Sequence, residues 1–172
     1  MSFDFSETVK KAQSGDADAF ARLYSLVYKE LYHIALCSLR NQHDACDAVS
    51  EAVLDAFTSI KKLKDLNAFK AWIVKILTVK IKKKQREYIE NNNTQDIEDV
   101  EQEIKGEINN DGFDIMEEFA KLEKTERLVL SLNVVGGYTS DEIAKICDTN
   151  PSTVRSKLMR AKTKLKQRLT SE

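Results

Sequence analysis

Apolar residues recur at helical spacing through the first half of the chain. Residues 16–39, 44–60 and 67–86 each place apolar side chains three and four positions apart, which is the period of an amphipathic helix. Asp16 stands where the first of these helices would be capped. Helices of this kind are stable when their apolar faces pack against one another. We therefore predict one helical domain over residues 1–87.

A second patterned region covers residues 114–169, where the apolar spacing predicts four further helices. The segment before it, "NNNTQDIEDVEQEIKGEINNDG" at 91–112, is acidic, rich in asparagine and poor in large apolar side chains, which is typical of a linker. A flexible stretch of that length covers on the order of 30 Å. The predicted fold class is all-α, with two small helical domains, 1–87 and 114–172, joined by a flexible acidic linker over 88–113.

The clearest local signals lie near the C-terminus, in "GGYTSDEIAKICDTNPSTVRSKLMRAKTKLKQRL". Thr139 and Glu142 form a capping-box pattern at the start of one short helix. After the turn "DTN", Asn150 can cap the next helix, and Pro151 takes its first position, where a missing N–H costs nothing. Two helices joined by so tight a turn are typical of a helix-turn-helix, whose second helix enters the DNA major groove.

The N-terminal half of that second helix supplies candidate DNA contacts. Val154 and Leu158 are expected to face the core, which leaves the other positions exposed. Arginine offers the bidentate fork that reads guanine, and small hydroxyl side chains let the helix approach closely. Lysines, among them Lys162, Lys164 and Lys166, suit phosphates, which add affinity without sequence information. The predicted DNA-binding residues are Asn150, Ser152, Thr153, Arg155, Ser156, Lys157, Met159 and Arg160.

Charge is strongly segregated along the chain, although the net charge is only −1. Residues 61–86 hold ten Lys or Arg against one acid, residues 87–118 hold twelve acids against one base, and residues 155–168 hold seven bases and no acid. Two basic blocks with an acidic spacer indicate two anion-binding surfaces. Five glycines and one proline leave few turns, which agrees with an all-helical chain.

Several classes of protein are disfavoured by what the sequence lacks. The N-terminus has no apolar signal core and no apolar run is long enough to span a bilayer, so we expect a soluble, cytoplasmic protein. There is no phosphate-cradling glycine loop and no nucleophile–base pairing at a recognisable spacing, so we expect neither an enzyme nor a cofactor. One alternative stays open, which is a zinc site formed by His33, Cys37, His43 and Cys46.

Two stretches carry a family resemblance. "LEKTERLVLSLNVVGGYTSDEIAKICDTNPSTVRSKLMRAKTKLKQRL" resembles the C-terminal domain of small bacterial sigma factors of the extracytoplasmic-function (ECF) type, in which the matching helix reads the upstream (−35) promoter element. "HDACDAVSEAVLDAFTSIKKLKDLNAFKAWIVKILTVKIKKKQRE" is similar to the other domain of that family, with an acid-rich helix, an F-x-A-W helix and a basic tail. The two stretches stand in the expected order and cover almost everything except the linker.

The resemblance implies a function and its partners. The protein would bind core RNA polymerase, recognise a −10/−35 promoter and promote transcription initiation. It would be held inactive by an anti-sigma factor, which is often membrane-anchored. The acidic residues Asp47, Glu51 and Asp55 would dock on the clamp-helix coiled coil of the polymerase.

The downstream (−10) element is read in this family as unpaired DNA, which needs a base pocket and cations along the backbone. Trp72 shares its register with apolar neighbours, so we expect it in the core rather than stacked on a base. The loop "KKLKDLN" and the basic face of the following helix supply the implied −10 contacts, namely Lys61, Lys62, Lys64, Asn67, Lys75, Lys82, Lys83 and Arg86.

The chain departs from the family pattern at two positions, with Ser50 where glutamine is usual and Val79 where asparagine is common. These departures bear on polymerase contact and on −10 preference. A stand-alone helix-turn-helix regulator is the remaining rival, with the N-terminal helices serving dimerisation or sensing. Such a regulator would bind duplex DNA tightly by itself, whereas a sigma factor would need core polymerase.

Overall fold

The computed structural model describes residues 3–91 and 117–170, with side chains over 3–87 and 117–167. All regular secondary structure in these residues is helical. Two 3-10 turns, Ile60–Lys62 and Leu66–Ala68, follow the third helix, and a helical turn at 117–120 precedes the fifth. The helices are α1 (Phe5–Gln13), α2 (Ala17–Leu39), α3 (Gln42–Ser59), α4 (Phe69–Asn91), α5 (Lys124–Val134), α6 (Ser140–Cys147) and α7 (Pro151–Thr170).

Helices α1 to α4 form an N-terminal lobe. The predicted helices over 16–39 and 44–60 are confirmed as α2 and α3 to within two residues at each end. The Asp16 side chain caps α2 by accepting from the backbone N–H of Ala19 at 3.1 Å. Helix α1 was not predicted, although Asp4 caps it by accepting from the Glu7 N–H at 3.1 Å.

Helix α4 differs from its predicted bounds of 67–86. It begins at Phe69, because the Leu66–Ala68 turn precedes it, and it continues to Asn91. The first residues of the predicted linker, 88–91, are therefore helical, and the greater part of that linker lies outside the described residues. The core side of α4 carries Phe69, Ile73, Leu77 and Ile81, none of which is exposed to solvent.

Helices α5 to α7 form a C-terminal lobe around Leu132, Ile143 and Val154, which are fully buried. A capping box starts α5, where Glu123 and Glu126 exchange side chain to backbone hydrogen bonds. The predicted all-α fold with two helical units is confirmed for the described residues, including the helix-turn-helix in the second unit.

The two lobes also contact each other, which was not predicted. Helix α2 packs on α5 and helix α4 packs on α6. The Nε2 atom of Gln85, a side chain that is 6% exposed, donates to the Ser38 carbonyl at 3.4 Å and to the Lys124 carbonyl at 3.1 Å. Arg127 Nε donates to the same Ser38 carbonyl at 3.2 Å. Buried apolar residues of both lobes consequently belong to one cluster.

Candidate nucleic-acid interface

The turn between α6 and α7 has the geometry of a helix-turn-helix. Helix α6 begins with the predicted capping box of Thr139 and Glu142 and ends at Cys147, and the following residue, Asp148, has a left-handed φ of 52°. The Asn150 side chain accepts from the Ser152 N–H at 2.9 Å and caps α7. Pro151 is the first residue of α7, as predicted. These local contacts end α6, form the turn and start α7.

Helix α7 buries one face and exposes the face predicted to read bases. Val154 and Leu158 are buried as expected, and Thr153 and Lys157 are half-buried. Met159 is the most exposed large apolar side chain of the described residues, at 67%. Exposed on the opposite face from the core are Asn150, Ser152, Arg155, Ser156, Met159 and Arg160. Six of the eight predicted contacts are thus open to solvent.

The two arginines of this face are only loosely held. Arg155 Nη1 lies 3.5 Å from Asp141 Oδ1, and both side chains are more than half exposed. Arg160 Nε donates to the Ser156 carbonyl at 3.4 Å. Contacts between exposed charged groups contribute at most about 1 kcal/mol. Either guanidinium can exchange such a contact for a base edge at little cost.

Among the lysines predicted to contact phosphates, Lys162 and Lys166 are exposed, whereas Lys164 is paired with a buried acid. Its Nζ lies 2.9 and 3.0 Å from the two carboxylate oxygens of Glu126, a side chain that is 3% exposed. The run of positive charge along α7 does not reveal this partner, because Glu126 lies on α5. The ion pair joins the C-terminal half of α7 to α5.

The basic face of α4 is also smaller than the sequence indicates. Lys75, Lys83 and Arg86 are exposed as predicted. Lys82 is not on the outer face, since its Nζ donates to the Cys147 carbonyl at 2.7 Å. That carbonyl ends α6, where backbone acceptors lack helical partners and the helix dipole favours a cation. Lys82 therefore lies between the lobes.

The predicted polymerase-binding acids share one side of α3, but two of them have partners on α4. Asp55 Oδ2 lies 2.7 Å from Lys80 Nζ, and Asp47 Oδ2 lies 3.7 Å from Lys84 Nζ. Both aspartates keep 55% of their side chain exposed, whereas the lysines are about one-fifth exposed. Glu51 lies one turn from each and is half-buried. The row of acids is still presented to solvent, with part of its charge neutralised.

The loop between α3 and α4 carries its polar residues on the outside. Lys61, Lys62, Lys64 and Asn67 are exposed, while Leu63 is buried beneath them. The loop is therefore a bent strip of backbone with cationic side chains facing solvent, which suits a nucleic-acid strand.

Trp72 is half-buried against the core, with its ring 6.0 Å from that of Phe69. The prediction that it packs inward rather than standing free agrees with this position.

A groove between α2 and α3 was missed by sequence analysis. It has a volume of about 240 Å³ and is lined by Tyr24, Tyr28, Tyr32, Val49 and Ser50, among others. The three tyrosines stand four residues apart on α2, so the sequence indicates an aromatic row on one face of that helix, but not the part of the groove that α3 supplies. Ser50, one of the departures from the family pattern, lies in its wall next to the acidic row.

The zinc alternative finds no support in the described part of the chain, where no group of three or more His, Cys, Asp or Glu side chains is placed to hold a metal. Cys37 is buried, and burial raises the pKa of its thiol to about 12. The thiolate form that zinc requires is therefore disfavoured. Cys46 is exposed.

None of the helices in the described ranges is long and apolar enough to cross a membrane.

Comparison with known proteins agrees with this architecture. The family model "Sigma-70 region 2" matches residues 19–88, and the model "Sigma-70, region 4" matches residues 113–165. The chain belongs to the sigma-70 family of transcription initiation factors, and within it to the ECF group. It is a sigma factor, which binds core RNA polymerase and directs initiation at promoters.

Two relatives illustrate the match. The RNA polymerase sigma factor SigV of Bacillus subtilis (strain 168) is 28% identical over 148 residues, covering 84% of this chain and 87% of that protein. The ECF RNA polymerase sigma-E factor of Haemophilus influenzae (strain ATCC 51907 / DSM 11121 / KW20 / Rd) is 25% identical over 179 residues, covering 94% and 93%.

Two solved structures share the fold. CnrH, determined in complex with the cytosolic domain of CnrY, superposes with a TM-score of 0.74 at 20% identity, covering 98% of both chains. The sigma factor RpoE from Bartonella quintana, determined with the anti-sigma factor NepR, gives a TM-score of 0.66 at 20% identity, covering 87% of this chain and 96% of that one.

Proposed function

We propose that the two lobes divide promoter recognition, with residues 1–87 contacting polymerase and the −10 element and residues 114–172 reading the −35 element. The observation that carries this proposal is the exposed base-reading face of α7 within a complete helix-turn-helix. The protein performs no chemistry of its own and acts in the bacterial cytoplasm, where core polymerase and promoter DNA are found.

The −35 contacts come from α7. Arg155 and Arg160 read base edges, since each has a planar fork and only weak intramolecular contacts. Ser152 and Ser156 allow the helix backbone to approach the groove. Asn150, Thr153, Lys157 and Met159 complete the surface, and the half-buried Lys157 supplies a phosphate contact from the edge of the face.

The −10 contacts come from the loop after α3 and from the exposed cations of α4. Lys61, Lys62, Lys64 and Asn67 face solvent on the loop. Lys75, Lys83 and Arg86 are accessible along α4. Lys82 joins them only when its bond to the end of α6 is exchanged for a phosphate, which offers the same ammonium a full negative charge.

Core polymerase docks on α3 through Asp47, Glu51 and Asp55. Lys80 and Lys84 neutralise only part of the negative charge of these acids. Basic side chains on a partner helix would neutralise the rest. The tyrosine groove beside this row offers the partner an apolar contact surface. We also propose that an anti-sigma protein, membrane-anchored or not, regulates this factor, because the similar RpoE structure contains an anti-sigma factor and the similar CnrH structure contains the cytosolic domain of a second protein, CnrY.

Substitutions on the two surfaces test the division of labour. Arg160→Ala is expected to weaken −35 recognition by roughly 1–3 kcal/mol, the weight of one bidentate base contact. Asp47→Lys is expected to reduce polymerase binding without changing the duplex affinity of the helix-turn-helix. The measurements are in vitro transcription from a cognate promoter, found by run-off on fragments of the source genome, and pull-down with core polymerase.

Each outcome has a clear reading. Unchanged transcription with Arg160→Ala would remove that residue from the −35 interface, and an unaffected pull-down with Asp47→Lys would remove the acidic row from the polymerase interface. Tight, specific duplex binding by the protein alone, with no gain from polymerase, would favour the stand-alone regulator instead.

A further inference from the structure

Helix α1 spans the loop that joins α3 to α4. Gln13 Nε2 donates to the carbonyls of Ile60 and Leu63, at 3.0 and 2.8 Å. At the other end of α1, Ser6 Oγ donates to Asn67 Oδ1 at 3.2 Å. Ser6 and Gln13 are seven residues apart, or about two helical turns, so they share one face of α1. That face holds the beginning and the end of the loop.

The Gln13 amide binds the loop through two backbone carbonyls on its inner side. Ile60 and Leu63 are buried, and the Leu63 N–H closes a turn on the Ile60 carbonyl at 3.1 Å. A side-chain amide has two N–H donors, and here one nitrogen serves both carbonyls. With the carbonyls drawn toward α1, Lys61 and Lys62 project outward.

The rest of α1 is anchored to the core, which makes it a firm support. Val9 and Ala12 are buried, and the ring of Phe5 lies 6.1 Å from that of Phe69 at the start of α4. Asp65 adds a local restraint by accepting from the Asn67 N–H at 3.0 Å. A loop fixed in this way need not be ordered when a ligand arrives, so less conformational entropy is lost on binding.

We propose that Gln13 is a positioning residue for recognition of the −10 element. It holds the 60–67 loop in the shape that receives an unpaired DNA strand. The inference rests on the proposed −10 function of this loop. Gln13 does not touch the DNA and acts through the loop backbone.

The experiment compares Gln13→Met, which keeps the length of the side chain and removes its N–H donors, with Lys10→Ala on the same helix. Lys10 is exposed and serves as the control. Each protein, bound to core polymerase, is titrated with a single-stranded oligonucleotide carrying the downstream element, and with the same strand made abasic at one position in turn.

We expect the wild-type complex to bind more weakly to the strand that lacks the base held by the loop. This loss of affinity relative to the intact strand is the abasic penalty. With Gln13→Met, the intact strand should bind roughly tenfold more weakly, the weight of two neutral hydrogen bonds, and the abasic penalty should shrink. Lys10→Ala should keep the full penalty. Gln13→Lys, which retains N–H donors for both carbonyls, should restore it. General destabilisation would instead weaken the intact and abasic strands equally.

The outcomes separate this inference from the function on which it rests. If wild type discriminates and Gln13→Met discriminates equally well, Gln13 does not position the reader. Equal weakening of both strands by Gln13→Met would also overturn the inference. If wild type itself ignores the abasic positions, the loop is not the base reader and the proposed −10 role fails with it.

Discussion

Replacing Lys164 by methionine tests whether the recognition helix depends on a buried charge. The substitution keeps most of the aliphatic length but leaves the Glu126 carboxylate with a single backbone donor, the Glu123 N–H at 3.3 Å. Breaking a fully buried ion pair costs roughly 3–5 kcal/mol. Glu126 is 3% exposed but Lys164 is 39% exposed, so water weakens the pair, and we expect a loss of about 2 kcal/mol.

For a chain of this length, that loss lowers the melting temperature by roughly 4–8 °C. Thermal and urea unfolding followed by circular dichroism measure it. Lys162→Met is the matched control, because Lys162 is an exposed lysine on the same helix. Adding Glu126→Gln to Lys164→Met should recover much of the loss, since the unpaired charge is then gone. Equal destabilisation by Lys164→Met and Lys162→Met would show that the pair with Glu126 does not stabilise α7.

Two further results are expected. A Cβ at Gly136 would come within 2.7 Å of the Leu132 carbonyl oxygen and 2.6 Å of the Tyr138 ring, so Gly136→Ala should destabilise the protein by about 1–3 kcal/mol; unchanged urea unfolding would contradict this. At pH 8 a thiol reagent should modify exposed Cys46 in the folded protein but not buried Cys37, whose thiol pKa is raised to about 12 by burial, and mass spectrometry after brief labelling would detect a failure.

The helix-turn-helix could be predicted from the sequence because its determinants are local. The capping box of Thr139 and Glu142, the Asn150 cap and Pro151 all act within three residues of their partners. Helix α1 was missed because it is short and buries only small or medium-sized side chains. Its start nevertheless carries Asp4 and Glu7 at the spacing of a capping box, which is the signal that would have found it.

The contacts that redistribute charge could not be predicted in the same way. Lys164 and Glu126 are 38 positions apart in sequence, and Lys82 and Cys147 are 65 apart. Nothing in a run of lysines distinguishes the one that meets a buried carboxylate or the end of a helix from those that face solvent. The sequence therefore indicates where positive charge is concentrated, whereas packing decides which cations stay available to DNA.

The hydrogen bond between Lys82 and the last turn of α6 bears on whether both promoter elements can be contacted at the same time. This hydrogen bond, at 2.7 Å between donor and acceptor, is one of several contacts between the two proposed reading lobes. Promoter elements a couple of helical turns apart are separated by about 34 Å of duplex per turn. Under the proposed assignment, contact with both elements at once would require the lobes to move apart, which would break the hydrogen bond between Lys82 and the Cys147 carbonyl.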